Sequence, residues 1–181
     1  MIGATLALAL GIAVPAQAAP APSTSSVASG SCVLEPKLRA AIEKRFGTSR
    51  VLSKADLYED ERELYTKDHG SACPGIARGQ FFGAKERPAI AILLVDAGAT
   101  AAVKLIVARP ATTSWVFFEV EELEKGSTAV LWKERPGAYE DRSSDRKLST
   151  KNDVIALTGY ESWQRLVIWT GAKFEFLQTS D

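Results

Sequence analysis

The stretch that most constrains the fold is Ala89–Val95, because it carries no polar residue on either of its alternating faces. Pro88 precedes it and Gly98 follows soon after it, and its β-branched residues favour a strand over a buried helix, which usually needs a longer apolar run. A strand that is apolar on both faces is covered on both sides. The sequence therefore predicts a central, fully covered strand at this position.

Charge and composition limit the classes of protein to which the chain can belong. It has 22 basic and 22 acidic side chains, so its formal net charge is zero. A nucleic-acid-binding protein carries a basic excess or a basic stripe, and the sequence shows neither, so no nucleic-acid partner is expected. Because 46% of the 181 residues are hydrophobic, we predict a folded chain with a core of ordinary size.

The N-terminal residues have the pattern of a secretion signal. Residues 4–14 form an apolar run, Pro15 ends it, and Ala16-Gln17-Ala18 has the small-x-small pattern that signal peptidases cleave. Met1-Ile2-Gly3 lacks the expected basic residue, so either the true start lies upstream or the leader is atypical. The run is too short to cross a bilayer as a helix, and no second segment approaches that length, so no integral membrane span is predicted.

These features divide the chain into three parts. We predict a signal peptide at residues 1–18, a flexible lead-in rich in Ala, Pro and Ser at residues 19–31, and a single globular domain at residues 32–181. The expected location of the mature protein is secreted or periplasmic.

Cysteine usage agrees with export. The chain has two cysteines, Cys32 and Cys73, and an exported chain with an even number of cysteines most simply pairs them. Two cysteines and the single histidine, His69, are too few ligands for a metal site. The sequence therefore predicts a disulfide, no metal and no cofactor.

Apolar periodicity predicts one helix before the central strand. Residues 35–46 place Leu38, Ile42 and Phe46 on one stripe, which indicates a helix with one buried face. Residues 50–57 are predicted to form a short strand. The acidic and aromatic stretch 56–65 is predicted to be a solvated face or loop, with a site for a cation or a basic partner as the alternative.

Alternating apolar residues predict further strands after the central one. They lie at residues 102–108, Trp115–Leu123, 129–133, 154–158, 164–169 and 174–177. The polar stretch 135–152 between them is predicted to be a long exposed loop. The predicted fold class is α+β and β-dominated, with an N-terminal helix packed on an antiparallel meander of about six or seven strands.

Residues 79–92, with the sequence Gly-Gln-Phe-Phe-Gly-Ala-Lys-Glu-Arg-Pro-Ala-Ile-Ala-Ile, resemble a degenerate FG-GAP-like (VCBS-like) segment. In that family a loop rich in Asp, Asn and Gly leads into an apolar strand, and the loop carboxylates hold calcium. The similar positions are Gly79, Phe81, Gly83 and Pro88. The ligand positions carry Gln80, Phe82, Ala84 and Ala89 instead. Since calcium needs six or more oxygen ligands, the resemblance implies the loop-strand shape without the calcium site.

The C-terminal residues 167–174 are similar to a Trp-x-Gly-x-x-Phe hairpin of uncharacterised exported bacterial proteins. Like the preceding segment, this resemblance covers a small part of the chain. It implies an exported protein and assigns no activity.

Three side chains could support catalysis. His69 lies beside Asp68, and histidine is the most frequent general base. Glu119 and Glu121 alternate with aromatic residues and are expected on one face of a strand, where a carboxylate pair could line a sugar-binding cleft. The non-catalytic alternative is that His69 lies in an exposed loop and that the two glutamates lie on the solvent side of a sheet.

Three tryptophans are candidates for contact with a partner: Trp115, Trp132 and Trp163. Indole rings provide large stacking surfaces, although they also complete cores and hairpins. Two functional hypotheses follow. The first is an exported non-catalytic protein that binds a partner protein or a cell-envelope component; the second is a small periplasmic hydrolase that acts on glycan or cell wall through acidic residues or His69.

Overall fold

The computed structural model describes residues 32–96, 103–124, 128–160 and 162–180. The predicted signal peptide at 1–18 and the predicted lead-in at 19–31 lie outside these residues. The helices are α1 (Pro36–Phe46) and α2 (Glu59–His69), with a short 3-10 helix at Lys54–Asp56. The strands, in chain order, are β1 (Arg50–Val51), β2 (Ile76–Gly79), β3 (Ala89–Val95), β4 (Val103–Pro110), β5 (Trp115–Leu123), β6 (Val130–Glu134), β7 (Gly137–Glu140), β8 (Lys147–Thr150), β9 (Val154–Gly159), β10 (Trp163–Trp169) and β11 (Phe174–Ser180).

The strands form two antiparallel sheets and a separate hairpin. The first sheet has the order β1-β3-β4-β5, and β2 also pairs with β3. Strand β4 pairs along one edge of β3. The other edge pairs with β2 over its first half and with β1 at its end. The second sheet has the order β11-β10-β9-β6, and β7 pairs with β8. The β-dominated α+β class is confirmed.

Strand β3 lies at the centre of the packing. All of its residues are at most 5% exposed. Ala91 and Leu93 point into the core that the two sheets enclose, whereas Ile92 and Leu94 point to the outer face of the first sheet. The prediction of a strand covered on both sides is therefore confirmed, and each buried Leu or Ile contributes roughly 1.5–3 kcal/mol to folding.

Helix α1 covers the outer face of the first sheet. Leu38 and Ile42 are buried against β3 and β4, as the apolar stripe predicts. Pro36 occupies the first turn, where no backbone N–H is needed, and Gly47 ends the helix with φ of 71°, a backbone conformation that side chains disfavour.

The β7–β8 hairpin covers the outer face of the second sheet. Tyr139 and Leu148 pack against buried residues of that face, among them Leu166 and Ile168. The stretch 135–152 is therefore a hairpin and not the predicted loop, although most of its residues are exposed as predicted. The apolar residues of this stretch are few, and their partners lie on distant strands, so the local pattern is almost entirely polar.

The stretch after α1 also differs from the prediction. Only Arg50–Val51 form a strand in the segment 50–57, and the 3-10 helix follows. Most of the stretch 56–65 lies in α2, and most of its acidic residues are exposed, so the predicted solvated face is present and lies on a helix rather than in a loop. Tyr65, 1% exposed, is the buried anchor of α2, and one buried residue in three turns gives no apolar stripe.

The described residues contain eleven strands in two sheets and a hairpin, more than the predicted meander of about six or seven. The strands that the sequence did not predict are β2, β7 and β8, each four residues long and too short to show alternation. Both α-helices of the described residues have 11 residues, and neither is long and apolar enough to cross a membrane.

Candidate binding groove

A second face of α1 forms one wall of a groove. Lys37, Ala40, Ala41 and Lys44 have the spacing i, i+3, i+4 and i+7, which places them on one side of the helix. The two alanines leave open space between the lysines. The groove has a volume of about 1200 Å³.

The opposite wall comes from β2, the start of β3 and the turn between β4 and β5. Arg78 pairs in register with Ile90 and borders the groove. Arg87 donates a hydrogen bond through Nη2 to the carbonyl oxygen of Ala111. This bond ties the segment before β3 to the turn between β4 and β5. The turn itself is closed by a 2.9 Å hydrogen bond from the backbone N of Ala111 to the oxygen of Ser114.

The floor of the groove is apolar and aromatic. Trp115 and Phe117 are half-buried and pack against the core beneath α1. The ring of Phe117 meets Phe46 of α1 edge to face, with ring centres 5.5 Å apart. This contact joins helix and sheet at one end of the groove, so the floor is held in place by packing.

Positive charge is concentrated around this groove. Five cationic side chains line it, against the single carboxylate of Glu35: Lys37, Lys44, Arg45, Arg78 and Arg87. The whole chain has no net charge, so the fold has separated the charges in space. We call this feature, with its floor of Trp115 and Phe117, the basic groove.

Glu119 lies next to the basic groove but does not line it. Its Oε1 accepts a hydrogen bond from Arg45 Nη2 at 3.0 Å, and its Oε2 lies 3.7 Å from Lys104 Nζ. Glu119 therefore partly neutralises one of the five groove cations.

The predicted pairing of Cys32 with Cys73 is present, with an S–S distance of 2.02 Å. The bridge ties the residues just before α1 to the loop before β2. These two segments lead into opposite walls of the basic groove. The disulfide therefore has a structural role next to the groove.

The two glutamates predicted on one face lie on opposite faces of β5. Glu119 pairs with Ile106 and Glu121 pairs with Leu105, so Val120 has no partner and forms a bulge. A bulge reverses the alternation of the residues that follow it. Glu119 faces outward to Arg45, whereas Glu121 faces the second sheet and pairs with Arg165.

His69 lies in an aromatic stack at the end of α2. Its ring centre is 4.7 Å from that of Tyr65 and 4.7 Å from that of Trp132. Trp132 Nε1 donates a 2.6 Å hydrogen bond to Glu134. Burial lowers the pKa of His69, while the nearby carboxylates of Asp68 and Glu134 act in the opposite direction. Glu119 and Glu121 contact other residues, Arg45 and Arg165. The structure therefore does not bring the three predicted catalytic side chains into one site.

The three candidate tryptophans have different surroundings. Trp115 lines the basic groove, Trp132 stacks on His69, and the guanidinium of Arg165 lies 5.1 Å from the ring centre of Trp163. Sequence reasoning identified Trp115 but not the cations around it. The available signal was the spacing of two lysines around two alanines on one side of the predicted helix.

Comparison with known proteins finds no matching family model, no similar curated protein and no similar solved structure.

Proposed function

We propose that this protein is an exported, non-catalytic binding protein whose basic groove holds an anionic component of the cell envelope. The observation that carries the proposal is the gathering of five cations and one carboxylate around an open groove, in a chain without net charge. A groove with one sign of charge and low-dielectric walls attracts a ligand of the opposite sign.

Export is supported by the Cys32–Cys73 bridge together with the N-terminal pattern of residues 1–18. Disulfides persist in the periplasm and outside the cell and are rare in the cytosol. The proposed location is therefore secreted or periplasmic.

Binding is favoured over the hydrolase alternative by the positions of the glutamates. A glycosidase needs two carboxyl groups on either side of one bond in one cleft. Glu119 and Glu121 face opposite sides of β5, and each is paired with an arginine. As placed, these two carboxylates cannot act on the same glycosidic bond.

The proposal is tested with polyanions immobilised on a sensor surface, using sodium alginate and poly-L-glutamate against neutral dextran. Lys37→Ala/Lys44→Ala removes two groove charges and keeps good helix formers in α1. The matched control is Lys147→Ala/Lys151→Ala, on and next to β8. We expect the groove variant to weaken polyanion binding about tenfold, since each charge contributes roughly 0.5–1 kcal/mol near the surface.

The control variant is expected to bind like the unchanged protein. If both variants lose affinity equally, or if no polyanion binds, the proposed function is wrong. Binding should also weaken steeply with added salt, because ionic screening shortens the range of the interaction to about 3 Å at 1 M salt.

A further inference from the structure

We infer that the anionic partner is an acidic polysaccharide, whose sugar rings pack on Trp115 while their carboxylates meet the groove cations. This inference rests on the proposed function and names the class of ligand for the same groove. Three kinds of groups that sugar acids require border the groove together: cations, hydroxyls and an indole ring.

The indole of Trp115 supplies an apolar surface for a sugar ring. It is half-buried, held by the core beneath α1 and still exposed to the groove. Aromatic side chains bind partners through large rigid surfaces at low cost in conformational entropy. A sugar ring offers a matching apolar face through its C–H groups.

The turn before Trp115 supplies hydroxyls. Thr112, Thr113 and Ser114 are exposed and line the same groove. A hydroxyl both donates and accepts hydrogen bonds, which suits the hydroxyls of a sugar. The turn is fixed by its own backbone hydrogen bond and by Arg87, so these groups lie on an ordered support.

The spacing of the cations favours a chain over a small anion. Lys37 and Lys44 are seven residues apart on α1, which separates them by about 10 Å along the helix axis. One carboxylate cannot reach both. The groove volume of about 1200 Å³ also exceeds that of ordinary small-molecule sites, which is about 300–1,000 Å³.

An acidic peptide is the competing partner, and the groove offers it less. Extended peptides commonly add to the unpaired edge of a sheet, where backbone hydrogen bonds hold them. The basic groove lies instead over the face of the first sheet, beneath α1, where the side chains of Trp115 and Phe117, rather than the backbone edge of β5, form its floor. Besides the cations, the groove therefore offers a ligand side-chain hydroxyls and an indole ring, which suit a sugar better than a peptide backbone.

The test compares polygalacturonate, poly-L-glutamate and neutral dextran by titration calorimetry, at equal concentrations of carboxylate and at constant salt. We expect polygalacturonate to bind about tenfold more tightly than poly-L-glutamate, because stacking and hydroxyl contacts add to the charge attraction. Trp115→Leu should weaken polygalacturonate binding about fivefold and leave poly-L-glutamate binding unchanged. The matched control is Trp163→Leu, outside the groove.

A second variant, Thr112→Val/Thr113→Val, tests the same inference on an exposed turn, where folding does not depend on the substituted side chains. It should also weaken polygalacturonate binding selectively. Equal or tighter binding of poly-L-glutamate overturns the inference and leaves the proposed function standing. Absence of binding by both polyanions, or equal binding of dextran, overturns both.

Discussion

Arg165 on β10 donates a hydrogen bond through Nη1 to the carboxylate of Glu121 on β5, and this ion pair joins the two sheets. The bulge at Val120 makes the contact possible, because it turns Glu121 toward the second sheet. Within the described residues, the other oxygen of Glu121 is buried and has no hydrogen-bond partner. The pair therefore compensates for the partial burial of a charge.

Removing the arginine should destabilise the protein. Arg165→Met keeps the length of the side chain and leaves Glu121 without its partner, so we expect the free energy of unfolding to fall by about 1–3 kcal/mol. Urea unfolding measures the change. The matched control is Lys147→Met in the exposed pair with Glu140, which should change stability by less than about 0.5 kcal/mol. Equal effects of the two substitutions would contradict this account of the Glu121 pair.

Loss of the disulfide should have the largest effect. The bridge spans 41 positions of sequence, and closing a loop of that size removes entropy from the unfolded chain worth about 4 kcal/mol. Cys32→Ala/Cys73→Ala should lower the free energy of unfolding by about that amount. Urea unfolding with and without dithiothreitol provides the check, and the double variant should not respond to the reductant. A response of the unchanged protein below about 1 kcal/mol would show that the bridge contributes little.

Asp56 should make stability depend on pH in the acid range. Hydrogen bonds from Arg50, with further ones from Ser53, lower the pKa of Asp56 to about 2. A carboxyl group with a lowered pKa stabilises the fold above its unfolded value, near 4, and loses that effect as the pH falls toward 2. We expect about 1 kcal/mol, because Arg50 is more than half exposed and solvent screens the pair.

The comparison that isolates this effect is Asp56→Asn against the unchanged protein in urea at pH 7, 4 and 2. The difference in stability should be full at pH 7, reduced at pH 4 and close to zero at pH 2. Glu43→Gln, in the exposed pair with Arg39, is the control and should differ little at any of these values. If the difference for Asp56→Asn stays constant with pH, the titration of Asp56 does not cause the acid-range change in stability.

Glu119 should oppose binding in the basic groove. Glu119→Gln removes the charge that holds Arg45, so the affinity for alginate should rise about two- to fivefold. The control is Glu122→Gln, which removes a charge 3.6 Å from Lys104 and outside the groove lining. The same binding assay measures both variants. Unchanged affinity for Glu119→Gln, or an equal rise for both, would show that Arg45 takes no part in binding.

The limits of sequence reasoning are visible on β5. Alternation identified the strand with its correct ends, Trp115–Leu123, yet it placed Glu119 and Glu121 on the same face. The bulge between them depends on the pairing with β4, which a local pattern does not contain. The β7–β8 hairpin was missed for the same reason. Its few apolar residues pack against β9, β10 and β11, and these contacts are not visible in the local sequence.

The sequence by itself determined the covered central strand, the helix before it, most of the longer strands and the cysteine pair, because each depends on neighbouring residues or on a count. Only the tertiary structure decided the basic groove. Its residues run from Glu35 to Phe117 and come from a helix, four strands and the segments next to them, in a chain whose charges cancel overall. Packing of α1 on the first sheet brings five of the cations to one place, and no local pattern records which distant side chains meet.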